Sequence, residues 1–256
     1  LETLPDPRVR HSLTFAAAVR MSHPALPSED FMTGLRTGGE TELSIRQRAI
    51  VLACVALAYG STWWPEHWVL VHGMAWLGEP RYAGFVGKFL PHLLLYSTLP
   101  AAVSAVLWLI LSNAKLLAPI LLSRGHHLVW YGVLGAVIAI VATIALVLMT
   151  PEVGTLRWIG IDPWGVAGNV FSNFDEEFIF RGFILAGLTA VIGFWPAAII
   201  ASGLWAAQHT QFPLSFRVLI GSIGILWCWI RIRARTLWAP YLSHEIMDTV
   251  LDAMIG

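Results

Sequence analysis

The sequence predicts an all-α fold, a polytopic transmembrane helical bundle of about seven spans, with six to eight admitted. Three observations predict it. Of 256 residues, 57% are hydrophobic and 12% charged, against about 45–50% and about 25% in soluble domains. Thirteen Trp and 22 Gly suit a chain with bilayer interfaces and closely packed membrane helices. From residue 48 onward the chain also divides into apolar stretches near the roughly 20 residues that cross about 30 Å of hydrocarbon.

Each element follows in order. Residues 1–47 mix acidic and basic groups with Pro, Ser, Thr and Gly and read as an extramembrane segment, with a short interfacial helix at Leu13–Met21. No cleavable signal pattern is read there, because the apolar stretch Ser12–Val19 is short. Residues 48–256 form the transmembrane domain that carries the chemistry. Its candidate spans are 49–64, 89–111, 128–149, 165–188, 195–209, 214–230 and 236–255, and 68–78 reads as a re-entrant or interfacial piece. Trp63, Trp64, Trp68 and Trp76 suit an aromatic belt, and His67, His72, His92, His126 and His127 read as interfacial.

Basic residues suggest an orientation. Arg46 and Arg48 precede span one, Lys115 and Arg124 follow span two, and Arg231, Arg233 and Arg235 flank span six. These fall on one side of a seven-span arrangement, which puts the N-terminus in the cytoplasm and the C-terminus outside. Net charge is zero, so nothing favours nucleic acid. Cys54 and Cys228 lie in apolar stretches and suggest neither a disulfide framework nor a thiolate metal site.

Charge inside a membrane helix is costly and by default marks function. Three groups stand out. In SNFDEEFIFRGFIL, Glu177 and Arg181 are four apart and share a helix face, where they can pair. Glu176 is turned by about 100° from Glu177 on an α-helix, so it points elsewhere and stays free as a base. His209 closes ASGLWAAQH. In YLSHEIMDTV, His244 and Asp248 share a face on which the carboxylate can orient the imidazole, and Asp252 continues that face. Converging in a bundle, two Glu, two His, an Asp and an Arg can hold a water, take its proton and stabilise an oxyanion during amide hydrolysis.

These residues resemble a known family. EEFIFR at 176–181 is similar to the EExxxR motif of the CAAX-prenyl-protease-like family, which includes bacteriocin-processing and immunity proteins. WAAQH at 205–209 resembles its second motif, with Trp205 where Phe is usual, and HEIMD at 244–248 resembles its third, HxxxN or HxxxD. The resemblance covers roughly residues 130–256. It implies a glutamic-type intramembrane protease in which Glu176, aided by His209, activates water. His244 and Asp248 would stabilise the oxyanion, with Glu177 and Arg181 in support. An Asp at 248 can donate to an oxyanion only when protonated, so it is expected to hold His244 as an imidazolium donor instead.

The expected substrate is a membrane-associated or lipid-anchored protein or peptide, with membrane lipid as surroundings and a bacterial cell membrane as location. Ala186, Gly187, Ala201, Gly203, Ala206 and Ala207 would let helices approach closely or line a groove. No cofactor is expected. The alternative enzyme reading places zinc on Glu176, His209 and His244, although His244–Glu245 lacks the second His of HExxH. A third reading is a non-proteolytic immunity or scaffold protein that keeps the same motifs.

Overall fold

A computed structural model describes residues 43–68, 98–117, 125, 127–150 and 155–254, with side chains up to 63 in the first stretch. The expected segment 1–47 lies almost wholly outside these residues. So do the helix at Leu13–Met21, nearly all of the piece at 68–78, the first part of span 89–111, Trp76 and the side chains of Trp64 and Trp68. All described residues belong to one structural unit.

Among the described residues every regular element is helical. They are α1 (Ile45–Trp68), α2 (Leu99–Asn113), α3 (Leu128–Met149), α4 (Pro163–Glu176), α5 (Leu185–Ile192), α6 (Phe194–Gln208), α7 (Leu214–Ala234) and α8 (Trp238–Asp252). A π-helical segment, Glu177–Ile184, joins α4 to α5 without a break. The described residues thus form seven continuous helical stretches. Two of them, α3 and α7, are long and apolar enough to cross a membrane.

The expected span 165–188 therefore begins as an α-helix and widens. A π turn takes more residues than an α turn and is frequent at functional sites. Here it begins at Glu177, immediately after Glu176. Helix α4 starts where Asp162 caps it: its Oδ1 accepts from Trp164 N–H at 3.2 Å, and Pro163 takes the first helical position. Gly193, at φ 81, ends α5 and lets α6 begin one residue later.

Helix α3 is apolar on its exposed face as well as on its buried one. In α3 the inward face carries Gly132, Gly135, Ala136, Ala139 and Thr143, while Val141 and Leu148 are 60% and 68% exposed on the outside. In water such a surface drives association; against lipid tails it is neutral, and small residues inside allow close packing. A Cβ on Gly135 would lie 2.4 Å from Ile230 Cδ1 and 2.6 Å from Ser243 Oγ, so this glycine sets the approach of α3 to α7 and α8. The apolar interior also encloses charge, since Glu177, Arg181, Arg231 and His244 are all buried.

Arg231 is a correction. Expected as part of a basic flank beyond span six, it lies within α7, which continues to Ala234, and only 2% of it is exposed. The helix outlasts its apolar run because tertiary packing covers its last turns. Arg233 spends its charge partly on Trp229, with Cζ 5.5 Å from the ring centroid.

Candidate active site

Helices α4, α6, α7 and α8 supply the site. Glu176 ends the α-helical part of α4, and its Oε2 accepts from Trp205 Nε1–H at 2.5 Å. Trp205 sits one turn before His209 on α6. The Nδ1 of His209 lies 3.0 Å from the Trp205 carbonyl. A ring nitrogen facing a carbonyl must donate, so in the neutral ring Nε2 carries the lone pair. One tryptophan therefore anchors both Glu176, through its indole N–H, and His209, through its backbone.

Glu177 points away from Glu176 into the protein. Its Oε1 lies 3.1 Å from Arg181 Nη1 and 3.1 Å from His244 Nδ1. The first contact is the ion pair expected from the spacing of four. The second was not legible in the sequence, where His244 was matched only with Asp248. The guanidinium makes no aligned hydrogen bond among the described residues. It is held by charge and by two indole faces, with Cζ 4.0 Å from the Trp205 centroid and 5.1 Å from that of Trp227. Room for it comes from Gly224, where a Cβ would sit 3.0 Å from Arg181 Nη2 and 2.9 Å from Ser202 Cβ.

His244 is gripped from both sides. Its Nε2 lies 3.4 Å from Asp248 Oδ2, and its ring packs 4.3 Å from Trp227 and 5.4 Å from Trp205, centroid to centroid. Carboxylates only accept, so a ring facing one at each nitrogen is best satisfied when both nitrogens carry protons. Asp248 keeps 26% of its side chain exposed, whereas Glu177 has none.

Glu176, Trp205, His209, His244 and Asp248 line one cavity of about 410 Å³. Asn169, Asn173 and Asp252 close its polar end, and Phe212, Phe216 and Ile223 its apolar wall. Glu177 and Arg181 do not line it; they lie behind. The described structure thus brings together all six residues singled out from the sequence, in two layers. Sequence reasoning missed the roles of Trp205 and Trp227. Trp205 stood in a quoted motif, but nothing in its spacing tells which carboxylate its N–H reaches.

Among the described residues no three His, Cys, Asp or Glu side chains are grouped so as to hold a metal ion. His244 has a carboxylate at each ring nitrogen and so offers no free lone pair in this arrangement.

Comparison with known proteins follows the same residues. Residues 159–250 match the family described as type II CAAX prenyl endopeptidase Rce1-like. Over those residues the chain is similar to an Rce1-like domain. That domain contains EEFIFR, WAAQH and HEIMD, so the resemblance is shown over the part that builds the site. Helix α3, which lends Thr143 to the cavity, lies outside the Rce1-like match. A curated relative, the uncharacterized protein YpbD of Bacillus subtilis (strain 168), is 27% identical over 151 residues, covering 52% of this chain and 71% of the relative. No solved structure matches. The Rce1-like match supports a membrane protease in general.

Proposed function

We propose that this protein is a glutamic-type intramembrane endopeptidase that hydrolyses a peptide bond of a membrane-associated or lipid-anchored protein. The observation that carries this reading is the shared cavity: Glu176 lines it from α4, His209 from the position just after α6, and His244 and Asp248 from α8. In the proposed reaction a water lies between Glu176 and His209 Nε2. Its oxygen attacks the scissile carbonyl carbon while Glu176 takes its proton. The tetrahedral oxyanion accepts from His244, which Glu177 and Asp248 hold protonated. The proton on Glu176 then passes to the leaving amine as the C–N bond breaks, leaving a carboxylic acid and an amine, and the acid gives up its remaining proton to the amine or to water on release. General base catalysis of this kind is worth about 10²–10⁴-fold, and each oxyanion donor about 2.7–4 kcal/mol.

Glu177 and Arg181 act as support. A buried carboxylate and guanidinium can stand together only because each offsets the other's lost solvation. The substrate is read as a protein or peptide within the membrane, and a bacterial cell membrane is the proposed location. Purified protein in proteoliposomes, offered membrane-anchored peptides, tests the reading. Cleavage by wild type that is lost with Glu176→Gln and with His209→Ala, all three melting alike, supports it. Cleavage unaffected by either substitution contradicts it.

A further inference from the structure

Helices α4 and α8 meet along a ladder of polar pairs. Asn169 Nδ2–H donates to Asp252 Oδ2 at 2.8 Å. One turn on, Asn173 Nδ2–H donates to Glu245 Oε2 at 3.1 Å, and the Asn173 side chain also bonds Asp248, on the same helix as Glu245. After one further turn, Glu177 meets His244 at 3.1 Å. Asn169, Asn173 and Glu177 are spaced by four and form one stripe. The partners Asp252, Glu245 and His244 run the opposite way along α8, as expected of antiparallel helices. On the other side of the same interface Phe174 packs against Trp238 and Tyr241, with centroids 5.5 and 5.9 Å apart. On that side Tyr241 O–H also donates to the Val170 carbonyl at 3.2 Å.

Asn173 is 97% buried, with 3% of its surface exposed, and it lines the cavity. It stands three residues before Glu176 on the same helix, and its partner Glu245 directly follows His244. A bond between Asn173 and Glu245 therefore joins the backbone that carries one half of the cavity's chemistry to the backbone that carries the other. A buried amide in apolar surroundings is kept only where it is bonded, since the desolvation it suffers is not otherwise repaid.

We propose that Asn173 is a positioning residue, whose bond to Glu245 sets the separation between Glu176 on α4 and His244 on α8. This rests on the peptidase reading for its effect on rate, though the bond itself does not. Attack and oxyanion stabilisation must occur on one carbonyl group, so a small slip between the helices misplaces one function relative to the other. Displacements of about 1 Å can lower a rate by about 10²-fold.

The test is a double-mutant cycle on the full chain with Asn173→Leu, Glu245→Met and both together, plus Glu245→Gln, which keeps an acceptor. Thermal melting is followed in detergent, and kcat and KM in proteoliposomes. Each single removal is expected to lower kcat about 10- to 100-fold with KM little changed. The double variant should be no worse than Asn173→Leu alone, because the bond can be lost only once. Glu245→Gln should stay near wild type in both readouts. Losses that multiply in the double variant, or a Glu245→Gln as impaired as Glu245→Met, would each overturn the inference. A wild type that releases no peptide would sink the peptidase reading alone. Melting would then decide the bond: additive losses overturn it, and non-additive losses uphold it.

Discussion

Glu177 and His244, 67 residues apart in sequence, meet at 3.1 Å across the α4–α8 interface. This contact joins the two layers of the site. Behind it lies Arg181, sealed between Trp205 and Trp227; in front lies the cavity with Glu176, His209 and Asp248. The carboxylate of Glu177 serves both, neutralising the guanidinium and orienting the imidazole. The neighbouring Glu176 has a different task because it faces a different space.

Arg181→Leu should leave the Glu177 carboxylate buried without its cation and cost about 3–5 kcal/mol of stability. Arg181→Lys should not rescue it fully, since an ammonium lacks the flat face that stacks between two indoles. Melting temperature in detergent checks both. A variant at residue 181 that melts like wild type would contradict the assignment.

Gly224→Ala should crowd the same guanidinium from the α7 side, where a Cβ would stand 3.0 Å from Nη2. Overpacking of this kind costs about 1–3 kcal/mol. A lowered melting temperature, with the peptide KM little changed, is the expected result. Gly203, where a Cβ meets nothing within 4 Å, provides the control, and Gly203→Ala should be nearly silent.

Trp205→Phe removes the N–H that Glu176 accepts at 2.5 Å but keeps an aromatic face for Arg181. We expect a loss in kcat of about tenfold, the order of one hydrogen bond of about 1.5 kcal/mol to a charged group, with folding largely intact. Steady-state kinetics beside a melting curve separates the two effects.

The fold was legible where composition carries it. The expected span 128–149 coincides with α3, and the turn at Gly193 falls between the expected spans 165–188 and 195–209. Boundaries slipped where burial rather than apolarity sustains the helix, as at Arg231 and Arg233 in α7. For the site, a spacing of four announced the Glu177–Arg181 and His244–Asp248 pairs, because those contacts are made within one helix turn. Contacts between helices were not announced. Neither the Trp205–Glu176 bond nor the Asn173–Glu245 bond follows from any local pattern, and no residue type in EFIFRGFI betrays a π-helix.

Asp248→Asn should retain much of the activity, because Glu177 still holds His244 through Nδ1 and an amide can itself donate to an oxyanion. Kinetics of this variant decide the point. Complete loss of turnover in a well-folded protein would count against the role given to Asp248.

Chelation should leave turnover unchanged, and zinc should be substoichiometric in the active purified protein, because His244 presents both nitrogens to carboxylates. Elemental analysis beside an activity assay with and without chelator checks this. Stoichiometric zinc, with activity lost on its removal and restored on its return, would reinstate the metal reading.

The most direct test of the central claim compares protein termini in a host lacking its own copy and expressing either wild type or Glu176→Gln at equal abundance. Mass spectrometry of membrane and released proteins should find new termini with wild type that are absent with the variant. Those termini would name the substrate and the side on which it is cut. Identical termini from two folded, equally abundant proteins would contradict the peptidase account and point to a non-proteolytic membrane role.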